Sequence, residues 1–334
     1  MITHFSQLQL QTVSIHGVKQ FYHEQLQFPI VYQSDDEIQF QPTDVFILTF
    51  KEVYEPLIPA HIAFEVPFSE FLSVVSLLEK AGVSLLAWPD GRTIDNFEHG
   101  SNLYFRDGDG NLLEIITHTY IKEEVLIPSG MLKILNLREI GFPVDSVISF
   151  RELLVNLFDF KLGKVSDLFT FAIGGTAHAV ICSKKRRWIP ISMFALPPTM
   201  NVSIGVTDRK YIDKVKARLE EKEIVYAGDD ELSFKINEYT FSLKVTTFPE
   251  ELPTRLNLPH SRLYQKKALR RPLMSVFVTW YVVEGMARAH TYSLPHVLSS
   301  HLRSSKDARK CISFFLLLLV KICGFFHVDF IIII

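Results

Sequence analysis

The sequence predicts an α+β protein made of four βαβββ units. Residues 1–118 run through one strand–helix–three-strand order twice, and residues 134–248 run through it twice more. A tight turn of Asp107-Gly108-Asp109-Gly110 joins the last two strands of the second copy, a sequence whose glycines and aspartates accept positive φ. A fixed order recurring four times in some 250 residues is an internal repeat, and it sets the fold class before any single residue is weighed.

The first unit opens on strict alternation. Phe5, Gln7, Gln9 and Gln11 fall on one face, Leu8 and Leu10 on the other, as in a strand with one polar and one apolar side. SIHGVKQFYHEQLQF follows, with Val18, Phe21, Tyr22, Leu26 and Phe28 spaced for an amphipathic helix and its exit. IVYQS, EIQFQ and VFILTF then read as strands.

In the second unit HIAFEV alternates, with His61, Ala63 and Glu65 on one face. FSEFLSVVSLLEKAG reads as a helix with Ser69 as N-cap and Gly82 as stop. SLLAWP, NLYFRD and NLLEIIT complete the unit. The third copy is LREIGFP, the helix SFRELLVNLFDF, FTFAIGG and HAVICS; the fourth is NVSIGV, the helix DRKYIDKVKARLEEKE, ELSFKI and YTFSLKVT. Taken in chain order, the units give a cup-shaped domain over residues 1–120, a linker over 121–133, a degenerate second cup over 134–250 and a non-domain tail over 251–334.

The chain has 334 residues, 48% hydrophobic and 22% charged, a composition normal for a globular protein. A net charge of -2 provides no nucleic-acid footprint. Cys182, Cys311 and Cys323 are too few and too widely spaced for a disulfide framework or a cysteine-rich zinc site. A reducing, cytoplasmic setting is expected. The opening MITHFSQLQLQT lacks a basic region followed by an apolar run, so no signal peptide is expected.

Charge is unevenly distributed. Residues 266–310 carry nine Lys/Arg against two Asp/Glu, a net of +7, and the last 24 residues hold only Lys321 and Asp329. The chain total of -2 therefore leaves -9 for residues 1–265. Residues 312–334 approach membrane-spanning length but are interrupted by Lys321, His327 and Asp329. Two readings of residues 272–334 stay open: a C-terminal anchor with a basic flank, or a non-native extension such as a reading-frame change produces. No function is built on them.

On the inner, polar face of the expected cup three side chains stand out: Gln7 on the first strand of unit one, His61 on the first strand of unit two and Glu114 on its last. An imidazole nitrogen, a carboxylate and an amide oxygen suit a divalent first-row metal with positions left open. Glu114 lies between Leu113 and Ile115, and a carboxylate in an apolar strand must face solvent or a partner.

GSNLYFRDGDGNLLEIITH resembles the closing hairpin of the vicinal-oxygen-chelate superfamily, which includes glyoxalase, bleomycin-resistance and extradiol-dioxygenase proteins. PAHIAFEVPFSEFLSVVSLLEKAGV, with its histidine at the head of a strand, resembles the same superfamily. So does LQLQTVSIHGVKQFYHEQLQFPI, with its aromatic pair Phe21-Tyr22. The resemblance covers residues 3–118 well and 134–248 faintly. It implies that His61 and Glu114 are metal ligands and that Gln7 stands where most members carry histidine. The 2-His-1-carboxylate set of the iron dioxygenases is then incomplete, which argues against ring cleavage. His4 is a fallback ligand of the wrong strand parity.

Tyr104, ten residues before Glu114, falls where ring-cleaving members carry a catalytic tyrosine. His99, in the loop FEHGSN, is a candidate proton shuttle, and Arg92 a candidate for an anionic substrate group. The second cup reads as chemically silent. Asn201 falls at the position of His61, Ser242 at that of Glu114, and the first-strand candidate is Glu139 or a neighbour. The run Lys184-Lys185-Arg186-Arg187 reads as an exposed hairpin face.

The expected function is that of a metal-dependent enzyme acting on a small oxygen-bearing substrate. One divalent ion is implied, iron, manganese, nickel or zinc. Dioxygenase, isomerase, lyase and thiol-transfer chemistry remain open. The alternative is a non-catalytic binder of the bleomycin-resistance kind. The expected partner is a small molecule and not nucleic acid, with membrane contact only through the tail and a homo-oligomer compatible with the sequence.

Overall fold

The computed structural model of the protein describes residues 1–260 apart from 189 and 191; the expectations for the apolar tail, including the anchor over 312–334, lie outside the described residues. Unit one comprises β1 (Ile2–Thr12), α1 (Ile15–Val18) continuing into a π-helical turn (Lys19–Gln25), β2 (Ile30–Gln33), β3 (Glu37–Thr43) and β4 (Phe46–Glu52). Unit two comprises β5 (His61–Glu65), α2 (Phe71–Lys80), β6 (Ile94–Phe97), β7 (Gly100–Arg106) and β8 (Leu112–His118). Unit three comprises β9 (Asn136–Val144), α3 (Val147–Phe158), β10 (Lys161–Gly163), β11 (Phe169–Gly174) and β12 (Ala177–Ser183). A short hairpin, β13 (Arg187–Trp188) and β14 (Met193–Phe194), separates it from unit four: β15 (Asn201–Val206), α4 (Arg209–Lys216), β16 (Ile224–Ala227), β17 (Glu231–Ile236) and β18 (Tyr239–Val245). A final turn of helix, α5 (Leu252–Arg255), follows.

The four units are present, but they pair in an unexpected order. One eight-stranded sheet runs β10-β11-β12-β9-β5-β8-β7-β6 and joins units two and three; the other runs β16-β17-β18-β15-β1-β4-β3-β2 and joins units one and four. The cups are therefore not the successive halves 1–120 and 134–250. The aromatic side chains supply the reason. Phe28 and Phe46 of unit one meet Phe64 of unit two, and Phe21 meets Phe105. Units one and two thus stack through their apolar faces, which leaves the edges of β1 and β5 to find other partners. Units three and four stack likewise, with Phe142 against Tyr239 and Phe241. One continuous core of buried residues from both sheets results, and the polar faces of the two sheets point away from it.

A second tie fixes units one and two. The Tyr22 hydroxyl donates to Asp107 Oδ2 at 2.8 Å, and the same carboxylate accepts from the Asn111 backbone and side chain at 2.8 and 2.7 Å. Asp107 thereby both shapes its hairpin turn, in which Gly110 has φ +83°, and anchors the helix of the preceding unit.

Local expectations fared unevenly. Gly82, at φ +76°, ends α2: its N–H reaches the Glu79 carbonyl and that of Val83 reaches Leu78, the Schellman arrangement. Ser69 is not the N-cap; α2 starts at Phe71, and Ser69 bonds Glu123 instead. SLLAWP is not a strand, since only Leu85 makes a bridge, to Phe105, and Pro89 and Gly91 interrupt the chain before β6. The expected tail contributes its first residues to the body: Leu252, Leu256 and Leu258 are buried with Ile121 of the linker and Leu135 just beyond it. Among the described residues no helix is long and apolar enough to cross a membrane.

Candidate metal centre

The concave face of the sheet joining units two and three is built by strand alternation and one irregularity. On β5 the residues His61, Ala63 and Glu65 share a face. β8 runs parallel to β5 with Glu114 beside Ala63, and Tyr104 of β7 stands opposite Glu114. On the other side β9 pairs antiparallel with β5. The register passes from Ala63–Glu139 to Phe64–Leu137, so Arg138 is an extra residue on β9. Such a bulge re-aims side chains, and here Arg138 and Glu139 both reach groups on the concave face.

His61, Glu114 and Glu139 come together there. Each offers one ligand atom, and these atoms all lie within 4.8 Å of one another. The three are 5%, 3% and 6% exposed. His61 Nδ1 donates to the Leu112 carbonyl at 3.2 Å, which leaves Nε2 as the unprotonated nitrogen, 3.5 Å from Glu114 Oε2. Burial pushes the His61 pKa down to about 4, against a smaller opposing effect of the Leu112 carbonyl. The imidazole is neutral, as a metal ligand must be.

The carboxylates are pushed the other way. Burial raises Glu139 to about 7, with the Arg138 guanidinium opposing. Burial, and then the charge of Glu139, raises Glu114 well above the ordinary carboxylate range. Asn102 Nδ2 donates to Glu114 Oε1 at 2.7 Å and to the Tyr104 hydroxyl at 3.0 Å, while Asn102 Oδ1 is buried without a hydrogen bond. Burial and the neighbouring carboxylates raise the Tyr104 pKa, so this phenol keeps its proton and is a donor beside Glu114.

A second cluster lies further along the same face. Glu65 Oε2 accepts from Arg138 Nη1 and His118 Nδ1, each at 2.9 Å. Arg138 Nη2 donates to the Tyr120 hydroxyl at 2.7 Å and to His178 Nε2 at 3.2 Å. Arg138 Nε has no hydrogen bond and lies 3.5 Å from Glu139 Oε1. The guanidinium thus joins the two clusters and bears directly on one carboxylate of the first.

The sequence-based set is met in part. His61 and Glu114 converge. Gln7 does not join them: it lies in the other sheet, opposite Ser203, and donates to Thr49 Oγ1 at 3.0 Å. Its departure follows from the pairing of β1 with β15 rather than with β5. His99 is 60% exposed at the turn into β7, five residues and so roughly 16 Å of strand from Tyr104, beyond reach of the group. Arg92 is paired with Asp90 and Asp95 and stacks over Trp88. His4 is buried against Phe248, with Nε2 donating to the Val45 carbonyl. Within the basic run, Lys184 pairs with Asp145 and Glu238, while Arg186 lies over Phe169.

Glu139, expected on a silent cup, is the third member of the group with His61 and Glu114. The signal that marked Glu114, a carboxylate within an apolar strand, is present in LREIGF as well. The other sheet confirms the positional equivalences. Ser203–Ser242 repeats the Ala63–Glu114 pairing two residues beyond Asn201, and Gln7–Ser203 repeats Glu139–Ala63. That second face carries only amides and hydroxyls at these places, and they satisfy one another: Asn201 bonds Gln9, and Ser233 bonds Ser242.

Paired βαβββ units that curl into a cup define the vicinal-oxygen-chelate fold, and this chain has that fold. A "putative dioxygenase" from Bacillus subtilis subsp. subtilis str. 168 superposes with a TM-score of 0.55 at 13% identity, over 77% of this chain and 90% of that one. Glyoxalase I from Zea mays superposes with a TM-score of 0.48 at 14% identity, over 75% and 96%. Oxidase ChaP-H1 covers 35% of this chain and 98% of its own, at 24% identity and a TM-score of 0.31. The sequence matches no protein-family profile and no curated protein sequence.

Proposed function

We propose that His61, Glu114 and Glu139 bind one divalent metal ion and that the chain is an enzyme of the vicinal-oxygen-chelate kind acting on a small oxygen-bearing substrate. The convergence of one neutral imidazole and two carboxylates within 4.8 Å, all buried, carries this reading. Burial raises both carboxyl pKa values, and the charge of Glu139 raises that of Glu114 further, so the two carboxylates repel when both are ionised. A bound dication offsets that repulsion, and a nitrogen with hard oxygens suits iron, manganese, nickel or zinc. Three protein ligands leave positions open.

A metal held there supplies Lewis-acid polarisation of a substrate oxygen. The chain's own groups do the rest. His61 is held in the ligating tautomer by Leu112. Asn102 holds Glu114 in place. Arg138 favours the ionised form of Glu139, and the protonated Tyr104 hydroxyl supplies a hydrogen bond at the edge of the group. Isomerase, lyase, thiol-transfer and dioxygenase reactions all use an oxygen ligand of this kind.

Elemental analysis of the full chain tests the reading. Near-stoichiometric metal is expected in the parent, and its loss in His61→Ala, Glu114→Ala and Glu139→Ala. A parent that takes up no iron, manganese, nickel or zinc on reconstitution would sink the metalloenzyme reading and favour a metal-free binding protein.

A further inference from the structure

One side chain from outside the sheet lies over the histidine of the group formed by His61, Glu114 and Glu139. The Trp188 ring lies over His61 with ring centroids 4.8 Å apart. Gly141 makes the recess that receives it: a Cβ at that position would come within 2.9 Å of the indole and 3.1 Å of the His61 Cβ. Trp188 is 7% exposed and packs with Tyr104, Leu112, Val180, Cys182 and Ala195, also buried, on the concave face. His61, Glu114 and Glu139 are each at 6% exposure or less, so a substrate cannot reach them in this conformation, and at His61 the indole is part of the cover.

The attachment of Trp188 differs from that of the residues beneath it. His61, Glu114 and Glu139 stand on strands hydrogen-bonded on both sides within the eight-stranded sheet. Trp188 is on β13, a two-residue strand paired only with β14 and with neither large sheet. Flanking contacts at Arg186 and Arg187 are guanidiniums stacked on Phe169 and Phe194, and Phe194 is 53% exposed. The ring is therefore held chiefly by apolar packing, which is non-directional and is recovered by any apolar group that takes its place.

We propose that Trp188 is a displaceable plug, seated in the Gly141 recess when the site is empty and moved aside when a ligand reaches His61, Glu114 and Glu139. The indole excludes water from the ligand group in the resting protein, and its departure leaves an apolar wall of Leu112, Val180 and Tyr104 for the body of the ligand. The role assigned to the site rests on the metal-binding reading above; the closure of the site does not.

Two chemical probes in the metal-free full chain separate these points. Cys182 lies beneath the plug, wholly buried, with its thiol pushed up to about 12 by burial. Its alkylation by iodoacetamide and the modification of His61 by diethylpyrocarbonate are each followed by peptide mass spectrometry. Gly141→Ala, which keeps the tryptophan but fills its recess, and Trp188→Ala are expected to speed both reactions at least tenfold. Trp188→Phe should fall between them and the parent. Thermal melts identify any variant that has merely unfolded, and rates are compared only among those that melt cooperatively.

If Gly141→Ala does not fold, the ordering of Trp188→Ala above Trp188→Phe decides. Rates that are already fast in the parent, or unchanged in the folded variants, overturn the plug. Accelerated rates together with no manganese or zinc bound by any opened variant leave the plug standing and remove the metal.

Discussion

Glu139 and Gln7 occupy the same place in the two sheets. Each follows an extra residue in a bulged first strand, Arg138 in one and Ser6 in the other, and each stands opposite the middle of the neighbouring unit's first strand, Ala63 or Ser203. One sheet has a carboxylate there and the other a neutral amide. With Asn201 and Ser242 in the places of His61 and Glu114, the second face offers no imidazole or carboxylate at these positions.

Glu139→Gln should sharply weaken metal binding, because a neutral amide oxygen replaces an anionic one while the side chain's shape is kept. Gln7→Ala should leave metal content unchanged. Elemental analysis of the two variants beside the parent checks both statements; metal loss in Gln7→Ala would contradict the observed pairing of β1 with β15.

Metal affinity should rise with pH through 7. A carboxylate must lose its proton to bind, and Glu139 is held to about 7. Glu114 is raised as well, so affinity should fall by at least roughly tenfold for each pH unit below 7. The linked effect on stability has a definite sign. A carboxyl whose folded pKa is raised contributes stability below its unfolded value, near 4.5, and loses it as pH rises through 7. Added metal reverses that loss, so the metal-induced rise in melting temperature should be larger at pH 8 than at pH 6. Equal shifts at the two pH values would rule this out.

Acid should destabilise the metal-free chain between pH 6.5 and pH 4 through His4. Burial holds this imidazole to about 4, so the unfolded chain takes up a proton first. The stabilisation is complete above 6.5 and is lost as pH falls through 4. Its full size is about 3 kcal/mol. His4→Gln should flatten the pH dependence of chemical denaturation in this window by that order.

Tyr22→Phe should destabilise the body by about 1.5–3 kcal/mol, the range for a hydrogen bond to a charged group. The substitution takes one donor from Asp107 at the contact between units one and two. Denaturation curves of parent and variant read it directly, and a change below about 0.5 kcal/mol, the size of an ordinary surface substitution, would show that Asp107 needs only its own turn.

The strand periods, the glycines at the turns and the resemblance to the vicinal-oxygen-chelate hairpin were legible in the sequence because they are local. An alternation of Gln7 and Leu8, a stop at Gly82 or a turn at Gly110 depends on a few neighbouring residues. Asn201 and Ser242 could be matched to His61 and Glu114 for the same reason, since the repeat carries position along each unit. Which unit lies beside which was decided only in three dimensions. The first strand of every unit presents a similar free edge, and backbone hydrogen bonding does not distinguish β1 from β9 as a partner for β5. Packing of Phe28 and Phe46 against Phe64, and of Phe142 against Tyr239 and Phe241, accompanies that choice, which brought Glu139 rather than Gln7 to His61 and Glu114.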